Sequence, residues 1–301
     1  MRYLTTDALR DAADFIDGNA RLIDRHRYAF HFAGGDADAV LAALRPYANP
    51  DGGFGNALEP DLRGAGSQPQ PVEVALHILD EIGRFDAPLV RAACDYLTSI
   101  DTGEGGVPFV LPSAAETRCA WWWRMGAESG ETDKAALNPT APIAGMLAAH
   151  AVDHPWTARA VRFCWDRIDA VADAGTDLAP YDARAVLGFL DAVPDRDRAT
   201  KTAGRLRGAL LSGVTFDPDA EGHVHLPLDV APRPGTLAAG LFDDATLDAH
   251  LDRLVTDQRP DGGWQINFEA WTPATGPEWR GSLTVGRLLT LRAYGRFPSD
   301  Q

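Results

Sequence analysis

Apolar residues return every three or four positions in one stretch of the chain after another, the period of an amphipathic helix, and the stretches come in pairs joined by polar segments bearing glycine or proline. The pattern predicts an N-terminal helix near Asp7–Arg25, then Ala37–Tyr47 paired with Val72–Ile82, and Pro88–Ser99 paired with Pro142–Val152. Further on it pairs Trp156–Ala172 with Tyr181–Ala192, Arg198–Leu211 with Thr236–Phe242, and Asp244–Thr256 with Leu283–Tyr294. Proline stands before several of these, as in Gln68-Pro69-Gln70-Pro71, where a helix has no use for the missing N–H. A short piece around His223-Val224-His225-Leu226 reads as extended chain in a loop. The expectation is an all-α protein of about five to six helical hairpins, enough to close a ring, with short extended segments in its loops.

One loop phrase occurs twice between such helices, as Asn49-Pro50-Asp51-Gly52-Gly53-Phe54-Gly55 and as Arg259-Pro260-Asp261-Gly262-Gly263-Trp264, with a degenerate copy at Gly103-Glu104-Gly105-Gly106-Val107-Pro108-Phe109. A recurring turn between helices marks a repeat architecture, in which a hairpin buries its apolar face only against its neighbours. The two aspartates, Asp51 and Asp261, belong to the turn itself, where Asp and Gly satisfy local backbone geometry. No shift in composition marks a linker, so one domain over residues 1–301 is expected.

Composition narrows the partners. The chain is 45% hydrophobic, enough for a large core, and its net charge of -15 argues against nucleic acid, whose binding depends on basic groups at phosphates. Cys94, Cys119 and Cys164 are widely spaced and suggest reduced thiols rather than disulfides or a thiolate zinc site. The sequence holds no uncharged apolar run of about 18 residues, and a cytoplasmic protein without a transmembrane segment is expected. His223 and His225, with Asp229 nearby, would face one side of an extended segment; that spacing alone is a weak metal signal, and neither metal nor cofactor is expected.

The phrase Gln258-Arg259-Pro260-Asp261-Gly262-Gly263-Trp264, after Leu251-Asp252-Arg253-Leu254, resembles the repeat shared by squalene-hopene-type terpenoid cyclases and protein prenyltransferase β subunits. The resemblance implies an α/α toroid with inner and outer rings of helices, and functional residues where inner helices begin. On this sequence those starts carry Gln68, Gln70 and Glu73, then Asn138 and Thr140, then Tyr181 and Asp182, and last Glu278, Trp279, Arg280 and Thr284. Helix starts favour anions, while Thr, Asn and Asp there also serve as simple caps. Both family signatures are missing: there is no Asp-x-Asp-Asp acid motif, and Gln68-Pro69-Gln70 and Glu278-Trp279-Arg280 replace the prenyltransferase zinc ligands.

The remaining carboxylates carry the candidate chemistry. Glu59-Pro60-Asp61-Leu62-Arg63 follows the first glycine loop, and Glu269-Ala270-Trp271 with Glu278-Trp279-Arg280 follows the last. A carboxyl group beside apolar rings is a proton donor near neutral pH, and a neighbouring Arg keeps a second one ionised. Ion pairs pinning the loops are the competing explanation. The reading is an isoprenoid-handling enzyme, cyclase-like or lyase-like, in which Glu278 or Asp61 supplies the proton and Glu59 and Asp182 orient it or hold a developing cation. Arg63 and Arg280 would bind an anionic group, with Gln68, Gln70, Tyr181, Trp271 and Trp279 shaping a site for a small, isoprenoid or anionic substrate. A carbohydrate-active toroid using paired carboxylates and a non-catalytic binding scaffold stay open. Of Trp121-Trp122-Trp123, not all three side chains can face one side of a regular element, so at least one belongs to a core or an interface.

Overall fold

A computed structural model describes residues 1–130 and 132–298, and over that span the chain is all-α: fourteen α-helices, three short 3-10 turns and only isolated β-bridges. In chain order the helices are α1 (Thr6–Asn19), α2 (Leu22–Phe32), α3 (Ala37–Leu44), α4 (Pro69–Glu81), α5 (Pro88–Ser99), α6 (Trp121–Glu128) and α7 (Leu137–Ala149). They continue as α8 (Pro155–Ala174), α9 (Pro180–Ala192), α10 (Arg196–Arg205), α11 (Arg207–Leu211), α12 (Pro227–Val230), α13 (Asp244–Thr256) and α14 (Thr275–Ala293). Among the described residues no helix is long and apolar enough to cross a membrane.

Local chemistry accounts for many of the boundaries. Helices α4, α5, α8, α9 and α12 open on Pro69, Pro88, Pro155, Pro180 and Pro227. Thr5, Asp195 and Asp243 cap α1, α10 and α13 by accepting the N–H of Ala8, Arg198 and Thr246. Helix α8 stops at Gly175, whose φ of +63° is left-handed.

The chain divides into two compact units, Leu44–Gly213 and Met1–Ala43 together with the chain from Val214 onward. In the first, α4, α7 and α9 lie side by side, and α5, α8 and α10 pack against them as a second layer. Helix α7 is buried from Pro139 to Leu147, and its Gly145 lets the backbone of Phe189 on α9 come within 3.0 Å of where a Cβ would stand. Trp165 of α8 meets Phe189 edge-on at 5.1 Å. In the second unit α14 packs against α1, α2 and α13, with Phe15, Ile16 and Val285 at the centre. Burying side chains of this kind stabilises by about 1.5–3 kcal/mol each. Asp24, fully buried on α2, is held by Arg21 and Arg27 at 2.9 Å each. Arg296, 2% exposed, ties the segment after α14 to Asp248 and Asp252 of α13 at 2.6 and 2.9 Å.

Several element boundaries depart from the periodicity, among them that of α7, which runs Leu137–Ala149 rather than Pro142–Val152. The expected helix Asp7–Arg25 is two helices, because Ala20 and Arg21 are extended where Ala20 packs on Gly281 of α14. Arg198–Leu211 is broken at Leu206 into α10 and α11, and Thr236–Phe242 holds only a 3-10 turn at Ala239–Leu241. Helix α14 begins at Thr275 rather than near Leu283, so Glu278, Trp279 and Arg280 lie inside its first turns. The tryptophan triplet opens α6: Trp123 is buried and stacks on Phe109 at 4.9 Å, while Trp121 is exposed.

Candidate functional site

The glycine loops share one backbone. Asn49 N–H donates to Gly53 O (2.9 Å), Thr102 N–H to Gly106 O (3.1 Å) and Arg259 N–H to Gly263 O (2.9 Å). The first glycine of each pair has positive φ, +88° at Gly52, +98° at Gly105 and +89° at Gly262, and each presses on a backbone carbonyl of a neighbouring helix. The carbonyls are those of Ala92 on α5, Arg159 on α8 and Asp11 on α1. A buried apolar residue follows, Phe54, Val107 or Trp264. Buried threonines accept the N–H of the last two, Thr140 that of Val107 at 3.0 Å and Thr284 that of Trp264 at 3.1 Å. Both threonines therefore clasp loops.

Within Leu44–Gly213 the starts of α4, α7 and α9 come together. Gln70 Nε2 donates to Asn138 Oδ1 at 3.0 Å, and the Asn138 backbone N–H donates to the carboxylate of Asp182 in the first turn of α9. Asn138 has non-helical φ/ψ at the kinked start of α7. Asp182 also lines an open cleft of about 430 Å³ whose other walls are Ala135, Ala136 and Leu137, the α8 side chains Phe163, Arg167, Ala170 and Val171, and Thr176 and Leu178. Burial among these mostly hydrocarbon neighbours pushes the Asp182 carboxyl above its ordinary range, with the Asn138 N–H pulling the other way. A carboxyl so placed can give up a proton and keep a donor for the anion that remains.

The other expected residues of this unit lie in the loop before α4. Glu59 is 7% exposed and Asp61 2%, both withdrawn from bulk water. Their segment pairs with the approach to α6, through Ala120 N–H to Asp61 O and Arg63 N–H to Arg118 O at 2.9 Å each. Gln68 spans to the next loop, its Nε2 donating to Ser113 Oγ (2.9 Å) and its Oε1 accepting Leu111 N–H (2.8 Å). Arg63 is exposed, and Tyr181, 48% exposed, lies 6.0 Å from the Arg184 guanidinium.

In the other unit Arg280 forms two bonds to Asp261, at 2.7 and 2.8 Å, donates to Trp264 O and lies 4.5 Å from the Phe15 ring centre. Arg280 thus fastens the last glycine loop. Glu278 and Trp271 are partly exposed, and Trp279 meets Phe268 edge-on at 5.6 Å. His223 and His225 have ring centres 5.8 Å apart, while Asp229 is bonded to Arg287 (2.7 Å) and to Leu226 N–H (2.9 Å). Among the described residues no three His, Cys, Asp or Glu side chains are grouped to hold a metal ion. The cleft residues Phe163, Arg167, Val171 and Leu178 escaped the sequence reading; the recurrence of Phe163, Arg167 and Val171 at every fourth position was the available signal.

No protein-family model matches the chain, and no curated protein matches it. A crystal structure of a protein from Actinoplanes is similar over 96% of this chain and 99% of its own, with a TM-score of 0.61 at 17% identity. At that identity the likeness is one of fold.

Proposed function

We propose that this protein is an enzyme acting on small isoprenoid-type molecules by acid chemistry, with Asp182 as the proton donor, on a scaffold whose hairpins close into the two rings of an α/α toroid. The observation that carries the reading is Asp182 itself, a carboxyl raised by burial at the edge of a largely apolar cleft. Raising the pKa keeps a larger share of the acid protonated near neutral pH, and hydrocarbon walls suit a substrate with few polar groups. Gln70 and Asn138 act as positioning residues, since they tie the starts of α4 and α7 to the carboxylate. In this reading the donor is Asp182 rather than Glu278 or Asp61, and Glu59 and Asp61 keep the part of buried stabilising carboxylates. The toroid draws support from the three like loops, each pressed on a neighbouring helix, and from the two layers of Leu44–Gly213.

The test is product formation from prenyl diphosphates, uncharged polyprenols and isoprenoid acids, with Asp182→Asn as the comparison. We expect Asp182→Asn to lower kcat by about 10²–10⁴-fold with little change in KM. Turnover indifferent to the substitution removes Asp182 from the mechanism. Absence of product from every compound leaves the binding scaffold as the better reading.

A further inference from the structure

Two charged side chains line the cleft among the described residues, Asp182 and Arg167, and acid catalysis accounts for only the first. Phe163, Arg167 and Val171 follow one another at every fourth position of α8, forming a stripe about 12 Å long on one face. The Arg167 guanidinium lies 5.4 Å from the Phe163 ring centre, which holds the cation against the apolar wall. Among the described residues lining the cleft, Arg167 is the one cation.

Its present partner is Glu104, at 2.8 Å, and the two side chains are 52% and 60% exposed. An ion pair this wet is weak and readily exchanged. Glu104 occupies the place that Asp51 and Asp261 hold in the sister loops, yet the turn does not use it. Asp101 accepts the N–H groups of Gly103 and Gly105 instead, at 2.8 and 2.9 Å. The loop has a carboxylate to spare, and it reaches across to Arg167.

We infer that the cleft binds an amphipathic monocarboxylate, its carboxylate replacing that of Glu104 on Arg167 and its apolar chain lying along Val171, Leu178 and Ala136. A single guanidinium matches a carboxylate by two parallel hydrogen bonds. A diphosphate brings more negative charge to a cleft whose one cation is already paired with Glu104 and whose wall carries Asp182. The inference rests on the reading of this cleft as the substrate site, and names the class of molecule it takes.

Calorimetric titration of the full chain with decanoate, 1-decanol and geranyl diphosphate tests it. Decanoate should bind, Arg167→Gln should weaken it by about tenfold or more, and neither Arg167→Gln nor Glu104→Gln should alter decanol binding. Glu104→Gln, by removing the competing carboxylate, should tighten decanoate several-fold. Tighter binding of the diphosphate than of decanoate, an unchanged affinity in Arg167→Gln, or a loss in Glu104→Gln overturns the inference. Failure here is separable from failure of the acid mechanism. Arg167-dependent decanoate binding by a protein that turns over no isoprenoid supports the inference and sinks the mechanism. Asp182-dependent turnover of an uncharged isoprenoid, with KM indifferent to Arg167→Gln, does the reverse.

Discussion

At Asn49–Phe54 and at Arg259–Trp264 the chain makes the same turn, but the anchoring carboxylate has different partners. Asp51 takes a hydrogen bond from Ser67 Oγ at 2.8 Å, and Asp261 takes two from Arg280 at 2.7 and 2.8 Å. Each also accepts the N–H of the second glycine, Gly53 at 2.9 Å or Gly263 at 3.2 Å. The shared parts are the backbone, with its positive φ and a glycine pressed on a helix carbonyl, and the buried ring behind it. The fastener is interchangeable. The acid and Arg clusters that follow the two loops are therefore alike in sequence and different in use. In the last loop the arginine is consumed by the turn, whereas after the first loop Arg63 is exposed and the acids Glu59 and Asp61 are buried.

The sharpest way to break the comparison is to strike what the loops share. A Cβ on Gly262 would stand 1.9 Å from Asp11 O, and one on Gly52 would stand 2.3 Å from Ala92 O, both at a φ that L-residues avoid. Gly262→Ala and Gly52→Ala should each destabilise by about 3 kcal/mol or more, with Gly262→Ala the worse. Gly175 also has positive φ but open space around it, so Gly175→Ala should cost only about 1–2 kcal/mol. Urea unfolding ranks the three. Equal losses at Gly262 and Gly175 would mean that φ alone matters and that the close approach contributes nothing.

Striking the fasteners should do less. Arg280→Ala removes the pair with Asp261, the bond to Trp264 O and the contact with the Phe15 ring, an expected loss of about 1–2 kcal/mol given that Asp261 is half exposed. Ser67→Ala removes one bond to Asp51 and one from Asn49, for about 1 kcal/mol. A larger loss from Ser67→Ala than from Arg280→Ala would reverse the order and show that burial of the fastener outweighs its charge.

The loops were legible because Gly-Gly beside an Asp and an aromatic is a local instruction, and the helices because their apolar period is local too. What escaped depends on neighbours distant in sequence. The break at Ala20 sits where that residue packs on Gly281, and the start of α14 at Thr275 sits in a stretch with little apolar period to announce it. At the candidate site Asp182 was readable as a helix-start acid, while its cleft was not, because Leu137, Phe163 and Leu178 meet only when α7, α8 and α9 pack together. Glu104 shows the converse. It breaks the Asp pattern of its sisters in plain sight, but the meaning of the departure needs Arg167, 63 positions away.

The smallest expected effect separates the two fasteners by charge. Hydrogen bonds from Arg280 hold the Asp261 carboxyl below its ordinary range, aided by the Gly263 N–H and the charge of Arg259 against the opposing pull of burial. A carboxyl whose folded value is depressed adds stability above its unfolded value, about 3.9, and loses it as pH falls through the lower folded value. Arg280→Ala removes most of that depression, so the Tm gap between the native protein and this variant should be widest above about pH 4 and narrow below it. Gly52→Ala, which changes no charge, supplies the reference and should keep a gap that pH does not close. Because Asp261 is half exposed, moderate salt should shrink the pH-dependent part. An Arg280→Ala gap as flat with pH as that of Gly52→Ala would assign Arg280's contribution to its bond with Trp264 O and its contact with Phe15, so that neither loop's fastener would draw on an ion pair.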